Sequence, residues 1–422
     1  MVSGFRPVET GRKPGRQAAE ETERATLWSC GPEKGQAMLA ITANWGLTDG
    51  SLGGSGPGAV QGWIDRIHAA VIRGSIDPGG RYQPADQVVL VLAGDTFDLL
   101  SSAAWASQVR PWHRGRRSHA LRLAVLHEAI RRLRRPLGRL ARWAGRGLAV
   151  PAADARGRPV DTLRRRAEMR VVILAGDRDQ FLPDLAHAAA NWGIQIGLGW
   201  SDGRHEVCHG HAFDPAGFSS AAACLPDAAQ PTLAESIAVD LLVPFGVSLR
   251  GMPAVWRRLG PGFPRLLATG LSRLPSGIAA TLAGLPEPLA AAVASAWARS
   301  IDRWLTAAHR EPPAFDGGFD ATADLAGWLA GAASVGRPPA PLPWLSITPP
   351  PPVAGRIQIC GHLAPSEASA GVIGLDGAEP KLLLRPRPAA AVTLTQLGLE
   401  PQREAIVCVG RGGSGRGIVD AA

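Results

Sequence analysis

Two stretches decide the fold: QVVLVLAGDTFD at residues 87–98 and RVVILAGDRD at residues 170–179. Each is an unbroken run of Val, Ile, Leu and Ala that stops at Gly-Asp. A run apolar at every position, and not at alternate ones, belongs to a strand covered on both faces. The Gly-Asp that ends it is turn chemistry, because glycine supplies a positive φ and aspartate caps the next helix. One such turn is ordinary. Two of them, each closing a buried strand and each carrying a second Asp shortly after the first (Asp98 and Asp179), form a pattern.

Working outward, residues 38–42 predict a third buried strand, entering a polar, Gly-rich turn over 43–55. Between the two marker strands, residues 120–143 carry Leu121, Val125, Leu126, Ile130, Leu133, Leu137 and Leu140 at helical spacing with Arg on the opposite face, so a crossover helix is expected, kinked or broken at Pro136. Strand, helix, strand in this order is α/β logic, and ligands of such folds gather beyond the carboxyl ends of the strands. Residues 206–208 read as a short strand leading into His209-Gly210-His211. Residues 216–337 hold helical patterns, among them 233–242 and 289–308, and predict a helical cap insertion. A Pro-rich linker spans 338–352, a strand over 356–360 leads into Gly361-His362, and strand-like runs over 381–409 complete the sheet layer.

Composition narrows the class. With 422 residues, 45% hydrophobic and 19% charged, the chain suits a folded protein with a sizeable core and excludes collagen-like and largely disordered classes. Its five cysteines form no C-x-x-C pair, which argues against a disulfide framework or a cysteine zinc site and for a reducing compartment. Residues 1–36 read as a flexible tail with no apolar signal region. The apolar stretch 277–297 is interrupted by Pro286, Glu287 and Pro288, so no membrane-spanning helix is expected there. The net charge of +9 is concentrated, since residues 110–170 carry 18 Arg against four acidic residues. This segment (110–168) is expected to be an Arg-rich helical insertion whose field suits a phosphorylated ligand, an acidic membrane surface or a nucleic acid. No nucleic-acid fold signature accompanies it, nor a Ser nucleophile elbow or a Gly-x-x-x-x-Gly-Lys loop.

The strand-end motifs, in order, are the Asn44 region before Leu47-Thr48-Asp49-Gly50, Gly94-Asp95-Thr96-Phe97-Asp98, Gly176-Asp177-Arg178-Asp179, Cys208-His209-Gly210-His211 and Gly361-His362. This series resembles the calcineurin-like metallophosphoesterases, over residues 38–100, 168–216 and 355–410, and within them most the bacterial branch that includes UDP-diacylglucosamine pyrophosphohydrolase. The resemblance implies a four-layer αββα sandwich, its core at 37–215 and 353–415, in which metals activate water against a phosphoester or pyrophosphate.

Carried over residue by residue, the resemblance assigns one metal site to Asp95, Asp177, His209 and His362, with Asp177 where the family has Asn. The other site is depleted. Asn44 and Gly46 stand where the family has Asp and His, an earlier register would offer only Ala43 and Trp45, and Ala364 replaces a His. One divalent ion (manganese, iron or zinc) is therefore expected, with Asn44 and His211 as weak or flanking groups. Arg178 replaces a proton-donating His. An Arg holds its proton but binds phosphate oxygens bidentately, so it is the expected phosphate clamp. The implied function is a weakened metal-dependent phosphoesterase, and the rival a non-catalytic relative that binds a phosphorylated small molecule, lipid or partner. The expected setting is cytoplasmic, with peripheral membrane contact through the Arg- and Trp-rich insertions as a third reading.

Overall fold

The computed structural model describes residues 27–29, 37–76, 79–185, 189–202, 205–211, 230–260, 263, 274–314, 318–335, 357–360 and 407–410. Ten strands lie within them: β1 (Leu27–Ser29), β2 (Ala37–Thr42), β3 (Gln87–Ala93), β4 (Leu148–Ala153), β5 (Pro159–Leu174), β6 (Ile194–Gly197), β7 (Gly199–Ser201), β8 (His205–Cys208), β9 (Ile357–Cys360) and β10 (Val407–Gly410). They form two sheets. One has the order β10-β2-β3-β5-β4, with β6 also on β5, and the other β1-β7-β8-β9. In the first, β2, β3, β5 and β6 run parallel, while β10 pairs with β2 and β4 with β5 in the antiparallel sense. The fold is mixed α/β with a mostly parallel central sheet.

The continuous apolar runs are explained by what covers them. Met38, Ala40, Val88, Leu90, Leu92, Val171 and Ile173 share a core with the helices. Their neighbours Leu39, Ile41, Val89, Val91, Ala93, Val172 and Leu174 share a second core with Trp200 and Val207 of the other sheet. Successive residues of a strand point to opposite faces, so burial on both sides demands an apolar residue at every position. Helix, sheet and sheet are thus three layers, and a fourth, on the outer face of the second sheet, is not among the described residues.

The helices are α1 (Pro57–Gly74), α2 (Arg116–Arg132), α3 (Arg134–Arg146), α4 (Leu233–Arg250, its middle turn Ile237–Leu242 a π-helix), α5 (Pro253–Leu259), α6 (Leu274–Ala283), α7 (Glu287–Arg310) and α8 (Gly318–Val335). The crossover helix expected over 120–143 is two helices. The break falls at Leu133 (φ −105°, ψ 17°) and not at Pro136 itself. A proline ring obstructs the carbonyl four residues earlier, here that of Arg132, so the chain turns before the Pro and seats it in a first turn, where it needs no donor.

The segment 110–168 is only half helical. Residues 148–174 form a β4–β5 hairpin whose tip is an aspartate turn, Asp154 Oδ1 accepting the N–H groups of Arg156 and Arg158 at 2.8 Å each, with Gly157 at φ +70°. Leu27–Ser29, within the segment expected to be a tail, pairs with β7. The described part of residues 233–335 is mainly helical, α4 to α8, with Trp297 and Trp304 fully buried and Trp328 nearly so. Among the described residues no single helix is long and apolar enough to cross a membrane.

Candidate metal centre

The site is assembled from four loops at the ends of β2, β3, β5 and β8. The first two are laced together by backbone: the N–H groups of Asn44, Gly46 and Leu47 donate to the carbonyls of Gly94, Asp95 and Thr96 at 3.1, 2.9 and 3.0 Å, and Asp98 N–H donates back to Leu47 O at 3.0 Å. The third loop is tied to the second through Leu99 N–H to Arg178 O (3.2 Å) and Arg178 N–H to Asp95 Oδ1 (3.0 Å). Asp179 completes the lacing. Its Oδ1 accepts Gly176 N–H at 2.6 Å and its Oδ2 accepts Phe97 N–H at 2.9 Å, so its carboxylate serves backbone donors of two loops. Burial and the nearby Asp95 carboxylate push the Asp179 carboxyl well above its usual range, with the two backbone donors pulling the other way.

Asp95, Asp177 and His209 converge, each offering a ligand atom within 4.8 Å of the others. Asp95 sits at φ +49°, a left-handed conformation that Asp tolerates better than bulkier residues and that is kept where the surroundings enforce it. His209 Nδ1 lies 3.0 Å from Ala93 O. A carbonyl oxygen can only accept, so Nδ1 carries the hydrogen. The other nitrogen, Nε2, is then aimed at Asp177 Oδ1 (2.9 Å) and Asp95 Oδ2 (3.5 Å). Without a cation it must also hold a proton to face two carboxylates. Burial opposes that charge, yet the Asp95 and Asp177 carboxylates outweigh it and raise the imidazole well above its ordinary value. With a divalent ion between them, the same nitrogen presents its lone pair, and the second-nitrogen anchor on a backbone carbonyl is how metal-binding histidines are held. Two carboxylate oxygens and an imidazole are donors that a divalent metal ion accepts. The three residues present therefore fit a divalent metal.

No protein-family model, curated protein or solved structure matches this chain. The calcineurin-like resemblance accordingly rests on the motif residues of the sequence alone.

Of the other residues singled out by sequence, Arg178 lies on the rim of the cluster, its Nε 3.8 Å from Asp177 Oδ2 and an Nη 3.8 Å from Asp98 Oδ1. Burial works against its charge, but Asp98, Asp177 and Asp95 together raise its pKa further, so it is a fixed cation. Asp98 is buried; Ser101 donates to it through both N–H and hydroxyl. The His211 ring is 5.4 Å from that of His209, centroid to centroid, and flanks the ligand group without being one of its members. Asn44, at φ +58°, is held beside the Asp95 loop by its main chain. His362, like Gly361 and Ala364, lies outside the described residues. The parallel pairing of β9 with β8, Cys360 opposite Cys208, brings the strand that precedes it alongside His209.

Sequence reasoning missed Gln180 and Glu235. Gln180 comes directly after the third motif, and its side-chain amide donates to Glu235 Oε1. Glu235 is fully buried on α4, where it forms a capping box with Thr232: Thr232 N–H to Glu235 Oε2 at 2.8 Å and Glu235 N–H to Thr232 Oγ1 at 3.1 Å. The Thr-x-x-Glu spacing before an apolar run was the available signal. Burial lifts the Glu235 carboxyl to about 7, against the lowering effect of its Thr232 and Gln180 hydrogen bonds. The cap thus leans on the third loop through an acid whose burial favours its protonated form.

Proposed function

We propose that this protein is a metal-dependent phosphoesterase of the calcineurin-like type, built on the αββα sandwich of that family, that hydrolyses a phosphoester or pyrophosphate with one tightly held divalent ion. The observation that carries the reading is the orientation of His209: an imidazole committed through Nδ1 to Ala93 O, with Nε2 facing two carboxylates, is a ligand set waiting for a cation. Asp95, Asp177 and His209 would hold the metal, with His362 as the fourth ligand implied by the motif series. A bound divalent ion supplies a water of lowered pKa and a Lewis acid for a phosphoryl oxygen.

The chain's own residues do the rest. Arg178, kept charged by Asp98 and Asp177, presents donors on the rim where a phosphoryl oxygen would lie. Asp179 and Asp98 hold the loops so that Asp95 and Arg178 keep their places. Arg178 cannot give up a proton at neutral pH, so a leaving group must take its proton from water or from the substrate, and turnover is expected to be slow.

The rival reading, phosphate binding without turnover, draws on Gly46. Among the described residues a Cβ there would meet nothing within 4 Å, so they leave open space at the position where the family has a His. The two are separated by metal analysis of the purified protein together with hydrolysis of bis-p-nitrophenyl phosphate in manganese. The expected result is about one transition metal per chain, lost in His209→Ala and Asp95→Ala, with slow hydrolysis that a chelator abolishes. Asn44→Asp combined with Gly46→His, both residue types that accept a left-handed backbone, should accelerate it by about tenfold or more. Metal-loaded protein with no turnover, and none gained in the double variant, would decide for binding alone. Unchanged metal content in both ligand variants would remove the assignment itself.

A further inference from the structure

An open cleft of about 350 Å³ lies between the loop at Gly50 to Gly53 and the corner where α4 meets α5, and none of Asp95, Asp177 and His209 is among the described residues that line it. That is within the range of small-molecule sites, about 300–1,000 Å³. One wall is bare backbone. Gly50 and Gly53 are both in the positive-φ region (81° and 96°), which favours glycine, and a Cβ on Gly50 would press on the Arg132 side chain, 2.8 Å from its Nε. The Arg132 guanidinium behind this loop donates to Thr48 O and Gly54 O, each at 3.3 Å. The opposite wall carries Arg250, Trp256 and Arg257.

The charges in the cleft are unbalanced. Arg250 donates to Ser51 O at 2.7 Å and pairs with no carboxylate among the described residues, and Arg257, exposed on α5, has neither a hydrogen bond nor an ion pair with any of them. No acidic residue is among the described residues that line the cleft. The one carboxylate in the adjoining loop, Asp49, accepts from Ser51 N–H (2.8 Å), Ser51 Oγ (2.7 Å) and the Ser102 hydroxyl. Trp256 is half-buried, its indole ring held by Phe263 at 5.7 Å between centroids and closely approached by Gly260. Two guanidinium groups over a backbone wall form an anion site, and a fixed indole beside them is a platform for a flat ring.

We infer that this cleft is a second binding site, for a nucleoside phosphate, whose phosphate lies on Arg250 and Arg257 and whose base stacks on Trp256. It shares no residue with the Asp95, Asp177 and His209 cluster and does not depend on that cluster holding a metal. An acidic cluster recruits cations; this cleft recruits the opposite charge.

The test is calorimetric titration of the full chain, stripped of metal by chelation, with AMP, inorganic phosphate and adenosine. AMP should bind more tightly than phosphate, and adenosine should show no measurable binding. Arg257→Ala, at an exposed position with no hydrogen bond or ion pair to the described residues, should weaken both AMP and phosphate by about tenfold or more. Trp256→Ala should bring AMP down to the affinity of phosphate and leave phosphate unchanged. Unaltered affinities in Arg257→Ala would overturn the site. So would failure of both ligands to bind, or a loss in Asp177→Asn that Arg257→Ala does not share, since that would move the anion to the strand-end cluster. Equal affinity for AMP and phosphate in the parent would overturn the assignment of the base to Trp256.

Discussion

Gly94-Asp95 and Gly176-Asp177 are the same dipeptide after the same kind of strand, yet the two glycines do different work. Gly94 has φ +95°, and a Cβ on it would fall 2.1 Å from His209 Nδ1. It is glycine for two reasons at once, conformation and close approach. Gly176 takes no positive φ, and only space constrains it: a Cβ there would fall 2.1 Å from Asp95 Oδ1 and 2.6 Å from Asp95 N. The first turn makes room for the histidine ligand, the second for the carboxylate of the first. Their surroundings differ as well. The Asp95 loop is braced by backbone from the loop at Asn44 to Leu47, whereas the Asp177 loop is braced from the helical cap, through Gln180 and Glu235. Identical turn chemistry therefore serves one cluster from two sides: both loops are laced to each other by backbone donors, and the Asp177 loop alone is also braced by the cap through Gln180.

The largest effect that would break this distinction is expected at Gly94. Gly94→Ala adds a left-handed cost of about 1–2 kcal/mol to an overpacking cost of about 1–3 kcal/mol, so a loss of about 3–4 kcal/mol in a denaturant titration is expected, together with the metal. Next comes the cap brace. The Glu235 carboxyl rises from an ordinary 4.5 to about 7 on folding, so the folded chain holds a proton that the unfolded chain has released across that window. Stability should then fall as pH rises from about 4.5 to about 7 and level off above, by at most about 3 kcal/mol. Glu235→Gln keeps an acceptor for Thr232 N–H and should flatten this part of the profile, and a parent already flat there would show that the cap does not bury an acid against the loop. The smallest of the three is Gly176→Ala, at about 2 kcal/mol, because it meets contact without backbone strain. A cost equal to that of Gly94→Ala would mean that the two turns are equivalent after all.

Much of this was legible in the chain. The two Val- and Leu-rich runs announced buried parallel strands because a strand between two layers has no polar face to show, and β2, β3, β5 and β9 lie where those patterns ended. The helical spacing of α4 and α7 was equally plain. Less legible were β4 and the first half of β5, where Arg164, Arg165 and Arg166 read as part of a solvated helix; the Asp154 to Gly157 turn was the better signal, since it reverses the chain between two strands. The short β6 and β7 carried too few residues for a period to show.

The candidate site divides in the same way. Their places at the ends of buried strands marked Asp95, Asp177 and His209, and the family resemblance implied their role as ligands; a glycine beside a polar residue at a strand end is a local feature that one stretch of chain carries by itself. What they amount to was decided by the tertiary structure. That His209 Nδ1 finds Ala93 O, that its Nε2 then faces two carboxylates, that Asp179 serves backbone donors and not Arg178, and that a cap acid reaches the third loop all depend on pairs of residues brought together by folding. A residue's identity states what it can donate or accept; which partner it meets is set by the packing of one layer on another, and no local pattern encodes that.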